Sequence, residues 1–214
     1  MSGRSEPRTP NRWGEGARLR GDILAAAARL LAESGREDAL SLRAVAREAG
    51  IAAPSIYLHF KDRSELVAAV MRGAYGAHAA ELRRTRLLEP AGDPVDALRA
   101  MAHGYCRFAL ENPARYRLMF GVEQIETPAA PGPTGHRLPG HPVHEVLDEW
   151  TLAVDACRKA GPEGNGRLSA ERAASLLWAG LHGIVGLWSA MPLAPDLESM
   201  CGLADDLVDS LLTG

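Results

Sequence analysis

The chain is poor in aromatic residues and in strand-like patterns, and both shortages narrow its fold class. Phe, Trp and Tyr make up 5% of the 214 residues. No segment alternates polar with β-branched residues as a half-buried strand does. Ala and Leu are abundant, and 46% of the residues are hydrophobic, which suffices for a sizeable core. The sequence therefore predicts an all-α protein.

Cysteine is also scarce. Cys106, Cys157 and Cys201 lie about fifty residues apart, without a Cys-x-x-Cys pair. This spacing is typical neither of a disulfide framework nor of a zinc site, so we expect a protein of the reducing cytoplasm. Residues 1–16 are basic and rich in Pro and Gly but have no apolar run, so we do not expect a signal peptide.

The sequence lacks the motifs of common enzyme classes. It contains no Gly-x-Ser-x-Gly, no Walker loop and no paired carboxylates. We therefore expect a protein that is not an enzyme, with no catalytic residue, no cofactor and no metal. His136, His141 and His144 are close in sequence, but not at the spacing of a helix-borne metal motif. A solvated loop is the favoured interpretation of these histidines, and a metal site is the alternative.

Charge is unevenly distributed along the chain. The net charge is −3, but residues 1–72 carry twelve Lys and Arg against nine Asp and Glu, which gives +3. The remainder carries twelve against eighteen, which gives −6. A basic head and an acidic body suit contact with DNA at one end of the molecule.

The most informative stretch is residues 41–61, which holds two short helical patterns. The first begins behind Ser41, a residue that can cap a first turn, and ends at Gly50. Pro54 suits the first turn of a second helix, predicted over residues 53–60. Two short helices joined by a tight glycine turn are typical of a helix-turn-helix, whose second helix enters the major groove.

The second helix should bury Ile56 and Phe60, which are four residues apart. Its outward side chains, Tyr57 and His59 among them, include donors of the kind that contact phosphate. Small apolar residues on the same helix can contact base methyl groups. We therefore predict a DNA-binding surface formed by Ser41, Arg43, Ala53, Pro54, Ser55, Tyr57, His59, Lys61 and Arg63.

Two parts of the basic head have an alternative interpretation. Lys61 and Arg63 either contact the DNA backbone or form plain solvated surface. Residues 1–16, which carry several arginines, are predicted to be a disordered arm. That arm is either a solvated tail or a segment that binds phosphate or the minor groove.

A specific order of residues follows in the same region: Ser55, Tyr57, His59, Phe60, Lys61, Arg63, Glu65 and Leu66. In this order the chain resembles the TetR-type transcriptional regulators over residues 18–66. The sequence departs from the family pattern at Ala52 and Ala53, where the family usually has a capping Ser or Thr and a polar residue that reaches a base. The resemblance implies a DNA-binding head, a ligand-binding body and a dimer.

The body is predicted to be a helical bundle over residues 62–214, after a head over residues 17–61. Its last two helices are apolar: the first has surplus apolar faces, and the second has a single apolar stripe. This pair suggests a homodimer formed through a four-helix bundle. A membrane span over residues 173–191 is the disfavoured alternative, because that run is marginal in length. The segments WAGLHG at 178–183 and NPARYRLMF at 112–120 resemble the WHG-type body of part of the family.

A small molecule is expected to bind between helices of the body. The candidate lining residues are large or polar side chains for which core packing is the alternative: Met101, Tyr105, Phe108, Met119, Phe120, Trp150, Trp178 and His182.

The leading hypothesis is a cytoplasmic dimeric repressor that binds a palindromic DNA operator and is released by a small-molecule effector. In that hypothesis the ligand tilts the helix predicted over residues 62–86, so that the spacing of the two heads no longer fits the operator. The alternative is a helical small-molecule-binding or enzyme-like protein that has lost specific DNA binding.

Overall fold

The computed structural model describes residues 15–34, 40–88, 92–120, 141–161, 168–190 and 196–213. Within those ranges the chain is helical and contains no strand, which confirms the predicted all-α class. The helices, in chain order, are α1 (Glu15–Ser34), α2 (Leu42–Glu48), α3 (Ala53–Ile56), α4 (Arg63–Leu88), α5 (Pro94–Glu111), α6 (Pro113–Phe120), α7 (Val143–Ala160), α8 (Ala170–Ala190) and α9 (Leu197–Thr213).

The chain divides into two compact units, Met1–Val70 and Met71–Gly214. The helix α4 begins in the first unit and ends in the second. The predicted boundary between residues 61 and 62 stays a prediction about domains. Most of the predicted N-terminal arm and residues 121–140 of the predicted long loop lie outside the described residues.

The first unit is held together by apolar side chains of α1 packed against those of α2 and of the segment that follows it. Ile23, Val45, Ile56, Phe60 and Leu66 are completely inaccessible to solvent. These residues come from all four helical segments of the unit, so each segment contributes to one shared core. Two polar contacts add to this core: Arg29 pairs with Glu48 at 2.9 Å, and the Arg20 guanidinium lies 4.9 Å from the centre of the Phe60 ring.

The turn between α2 and α3 depends on Gly50. Ser41 caps α2 as predicted, because its hydroxyl accepts a hydrogen bond from the backbone N–H of Ala44. Gly50 then has a φ of +68°, a left-handed conformation that side chains with a Cβ disfavour. The backbone N–H of Ile51 bonds to the carbonyl of Ala46, which closes the turn.

The helix α3 is shorter than predicted. It ends at Ile56 instead of near Phe60. Beyond Ile56 the backbone N–H groups of Leu58 and His59 bond to the carbonyls three residues earlier, which tightens the chain into successive turns. This tightening buries the Phe60 side chain and brings the chain to Asp62, whose carboxylate caps α4 by accepting from the Glu65 N–H.

The second unit is built around α5, which packs against α6, α7, α8 and α9. The fully buried core includes Met101 and Tyr105 of α5, Trp150 of α7 and Leu181 of α8. Along α9, Met200, Ala204 and Val208 recur at a spacing of four and are completely buried. The helical stripe predicted for this last helix is therefore present.

The helix α8 is long and apolar enough to cross a membrane by length and composition alone. Its residues Ala173, Leu177, Leu181 and Val185 form a buried stripe that packs into the core of the second unit. The core helix of a soluble protein satisfies the same length and composition test, so this helix is weak evidence for a membrane span.

A buried carboxylate joins α4 to α7. The Glu149 side chain is 2% exposed and accepts hydrogen bonds from Arg83 Nε at 2.7 Å and from Arg86 Nη2 at 2.9 Å. Arg83 is 61% exposed, whereas Arg86 is 22% exposed. A buried charge needs its partners, because an unpaired carboxylate in an apolar environment carries a large desolvation cost. The contact therefore fixes the end of α4 against α7.

Removing the more buried arginine should destabilise the protein. We expect Arg86→Met to lower the free energy of unfolding by roughly 2–3 kcal/mol, because Glu149 then keeps one, largely exposed partner. Arg84→Met is the matched control, since Arg84 pairs with the exposed Glu81 on the same helix, and its effect should stay within about 0.5 kcal/mol. Urea unfolding followed by circular dichroism measures both. Equal effects of the two substitutions would contradict this account of the buried carboxylate.

Candidate functional site

All nine residues predicted to contact DNA lie in the first unit, between the N-cap of α2 at Ser41 and the first residue of α4, Arg63. Seven of them are exposed, and Ser55 and His59 are half-buried. We call this set, which runs from Ser41 to Arg63, the α2–α3 surface.

Several polar side chains of the α2–α3 surface have no competing partner. Within the described residues, Arg43, Tyr57 and His59 make no side-chain hydrogen bond or ion pair. Lys61 is 79% exposed, and its ammonium lies 3.8 Å from Asp62, a long contact that water can replace. These donors are available to an external anion.

The sequence analysis missed one prominent residue of this region. Leu58 is 84% exposed, the largest value among the exposed large apolar side chains that the structure describes. The helical pattern placed Ile56 and Phe60 inside but assigned no role to the residue between Tyr57 and His59. The sequence did carry a signal for this exposure, because Leu58 lies between two polar residues that were predicted to face outward.

The second unit contains a cluster of aromatic rings contributed by four helices. The residues predicted to line a pocket all join this part of the core, either buried or half-buried. Phe120 is the central ring, because five others surround it within 6.3 Å between ring centres. We call the following set the ring cluster: Tyr75, His78, Tyr105, Phe108, Tyr116, Phe120, Trp178 and His182.

Polar atoms inside the ring cluster form a short chain of hydrogen bonds. The Tyr105 hydroxyl donates to the Tyr116 hydroxyl at 3.4 Å, and the Tyr116 oxygen lies 2.5 Å from His182 Nδ1. Burial lowers the pKa of His182, which favours the neutral ring. We assign Nδ1 as the acceptor of this neutral ring, so that Nε2 carries the proton and is left as a donor.

Three members of the ring cluster were not predicted: Tyr75, His78 and Tyr116. Tyr75 donates a hydrogen bond to the backbone carbonyl of Met119 at 2.6 Å. His78 is 3% exposed and stacks on Phe108, with 4.6 Å between ring centres. Tyr75 and His78 are three residues apart on α4, so the helical period places them on one face, but it does not show that this face enters the core.

His78 stands out because neither of its ring nitrogens has a hydrogen-bond partner among the described residues. Desolvation lowers the pKa of His78 to about 4, although the nearby Glu81 opposes the shift. The ring is therefore neutral at physiological pH, with one donor and one acceptor nitrogen unused. Leaving such groups unpaired in the core costs free energy, which a bound molecule with matching groups would recover.

The hydroxyl and thiol groups of this region stay protonated. Burial raises the pKa of Tyr75 and of Tyr116 to about 12 and that of Tyr105 well above its ordinary value. Burial also raises the pKa of the Cys106 thiol to about 12. None of these groups is activated as a nucleophile or a base, so the cluster is suited to binding through rings and neutral hydrogen bonds.

The histidines near the predicted loop are placed differently from the favoured interpretation. His136 lies outside the described residues. His141 is half-buried: its ring packs edge-on against Tyr75, and its Nδ1 accepts from the backbone N–H of Val143. The prediction that His141 lies in a solvated loop was therefore wrong. Among the described residues, no group of three His, Cys, Asp or Glu side chains is arranged to hold a metal ion.

The lowered pKa of His78 predicts a loss of stability in acid. The unfolded chain takes up a proton near pH 6.5 and the folded chain only near pH 4, so unfolding is favoured as the pH falls through that window. We expect His78 to account for up to roughly 3 kcal/mol of this loss.

Two variants separate titration from packing. His78→Phe and His78→Gln both remove the titrating group, so both should flatten the dependence of unfolding free energy on pH between about 4 and 6.5. Their absolute stabilities at neutral pH should differ, since the two side chains pack differently. Urea unfolding at a series of pH values measures this dependence. If both variants kept the wild-type dependence of unfolding free energy on pH, the contribution assigned to His78 would be wrong.

Comparison with known families accounts for most of the chain. Residues 23–70 match the family model described as bacterial regulatory proteins of the tetR family. Residues 98–211 match a second model, described as the tetracyclin repressor-like C-terminal domain. The first match contains the whole α2–α3 surface, and the second contains the ring cluster apart from its α4 residues.

Curated relatives match the chain over a shorter stretch. The HTH-type transcriptional regulators Rv1816 of Mycobacterium tuberculosis and Mb1846 of Mycobacterium bovis are each 34% identical over 82 residues. That stretch is 38% of this chain and 35% of each relative. The chain thus spans about a third of the length of the curated relatives it matches.

Solved structures resemble the chain over nearly its whole length. A protein of unknown function from Rhodococcus sp. RHA1 is 29% identical, with a TM-score of 0.71 over 96% of this chain and 100% of that one. SmeT, the repressor of the Stenotrophomonas maltophilia multidrug efflux pump SmeDEF, is 26% identical. Its TM-score is 0.61 over 89% of this chain and 88% of SmeT.

Proposed function

Since the chain belongs to the TetR family of bacterial regulatory proteins, we propose that it is a cytoplasmic dimeric repressor released from its operator by a small molecule. The observation that carries this proposal is the pairing of two features on one chain. The first unit has an exposed helix-turn-helix that carries Arg43, Tyr57 and Lys61. The second has a buried ring cluster in which the His78 nitrogens have no hydrogen-bond partner among the described residues.

The α2–α3 surface has the chemistry that duplex DNA requires. Arg43 and Lys61 supply positive charge, and Tyr57 and His59 supply neutral donors for phosphate oxygens. Ala53 and Pro54 are exposed and small, which allows close approach of the backbone to the bases. We propose that the whole α2–α3 surface contacts DNA.

Phosphate contact predicts steep dependence on salt. We expect binding to a fluorescent random-sequence duplex to weaken strongly between about 50 and 200 mM salt, because each contact releases counterions. Arg43→Ala should reduce the slope of log K against log salt by about two for a dimer, one unit per protomer. Fluorescence anisotropy gives both slopes.

Arg84→Ala, which removes an exposed charge of the second unit, should keep the wild-type slope. If the folded dimer binds no duplex even at low salt, the alternative of a helical ligand-binding protein without DNA binding replaces this proposal.

We propose that α8 and α9 form the dimer interface. The exposed face of α8 carries Leu176, Ala179, Gly183 and Leu187 at spacings of three and four residues, a stripe of apolar and small side chains. Leu176 and Leu187 are 47% and 48% exposed, and Leu203 on α9 is 42% exposed. A second copy of the two helices would bury this stripe in a four-helix bundle.

A charge on this stripe should separate the protomers. We expect Leu187→Glu to sediment as a monomer at micromolar concentration, because the carboxylate cannot be buried without a partner. Leu152→Glu is the control, since Leu152 is 49% exposed on α7, which is not one of the two helices of the proposed interface, and this variant should remain a dimer. Analytical ultracentrifugation distinguishes the two. A dimeric Leu187→Glu variant would exclude this interface.

We propose that the effector is an uncharged molecule with a flat ring and at least one hydrogen-bonding group. The ring cluster supplies aromatic faces, the His78 nitrogens and the Tyr116–His182 pair, all neutral at physiological pH. The helix α4 carries Tyr75 and His78 and begins in the first unit, so a ligand that moves these rings acts on a helix shared by both units.

A thermal-shift screen of matched compounds tests the effector class. Neutral phenols and aromatic amides should raise the melting temperature, whereas carboxylate analogues of the same ring should not, because the eight residues of the ring cluster include no cation to neutralise them. A ligand at a hundred times its dissociation constant contributes about 2.7 kcal/mol, a shift of several degrees. Tyr116→Phe should reduce the shift. Stabilisation by the carboxylates alone would contradict the proposed class.

A further inference from the structure

The geometry points to Leu58 as a specificity-determining residue that reads the 5-methyl group of thymine in the operator, an inference that rests on the proposed DNA-binding function. Among the described residues of the first unit, Tyr57 and Leu58 are the exposed large apolar side chains. Ile56 and Phe60 on either side are completely buried, so this segment is well packed and the exposure of Leu58 is specific to that side chain.

An apolar side chain as exposed as Leu58 gains free energy when it leaves water, and it gains most by contact with another apolar group. The major groove offers one such group on each A·T pair, the thymine 5-methyl, and G·C pairs carry no methyl group there.

The neighbours of Leu58 identify the occupant as duplex DNA rather than a protein. Arg43 and Lys61 supply exposed positive charge in the same unit, which complements a phosphate backbone. Tyr57 is 52% exposed, with a hydroxyl that has no partner among the described residues. A protein partner would meet one exposed leucine in a unit whose exposed side chains include these cations and several small residues.

The start of α3 lacks the usual means of direct hydrogen-bond readout. Ala52, Ala53 and Pro54 at the start of α3 are exposed and have no side-chain donor or acceptor. Sequence discrimination by this segment must then come from shape and apolar contact. Leu58 is the side chain that offers the largest apolar area for such a contact.

The test uses operator duplexes recovered by selection from a random pool, in which each thymine is replaced singly by deoxyuridine. This replacement removes only the methyl group. We expect one thymine in each half-site at which the replacement weakens wild-type binding about fourfold, as the loss of one buried methyl predicts. Leu58→Ala should bind the thymine and deoxyuridine duplexes equally at that position.

Two controls isolate the effect. Leu88→Ala removes another exposed leucine, 63% accessible in the second unit, and should keep the wild-type difference between the duplexes. Tyr57→Phe should weaken binding to both duplexes by the same factor, because a phosphate contact does not sense the base methyl.

The outcomes separate this inference from the proposed function. Operator binding by the wild-type protein with no deoxyuridine effect at any position, or with the same effect in Leu58→Ala, refutes methyl readout by Leu58 and leaves the regulator intact. Failure of the wild-type dimer to bind any selected duplex refutes both.

Discussion

The second unit depends on burying polar aromatic side chains where α4, α5, α6 and α8 meet. The Tyr105–Tyr116–His182 chain and the Tyr75 hydrogen bond to Met119 satisfy some of these groups, whereas His78 keeps two unpaired nitrogens. Polar groups in a core cost free energy unless they are paired. Burial keeps these groups neutral, and we propose that they recognise a bound molecule.

The helix α4 connects this chemistry to the rest of the chain. Its first turn is capped by Asp62 in the first unit, its middle carries Tyr75 and His78, and its end is held against α7 by Glu149. A molecule that reorganises the ring cluster moves side chains carried by α4. In the function that we propose, this helix is the element that couples the effector to the operator.

Much of this organisation was predictable from sequence, and the exceptions have physical reasons. Capping residues such as Ser41 and Asp62 and the periodic apolar residues of α9 specify local structure, so the helices were predicted closely. The end of α3 was not predicted correctly, because the tight turns after Ile56 depend on the burial of Phe60, which is a tertiary effect. The role of His78 required knowing that α4 enters the core, and periodicity within one helix cannot show which neighbours surround it.

We propose that the α2–α3 surface binds a specific operator, and selection of duplexes from a random DNA pool tests this most directly. The purified protein should enrich a palindromic motif with half-sites about one helical turn apart, or a multiple of it, and Tyr57→Ala should lose that enrichment. A folded wild-type protein that enriches no motif, or a Tyr57→Ala variant that enriches the same motif equally, would contradict operator binding by this surface.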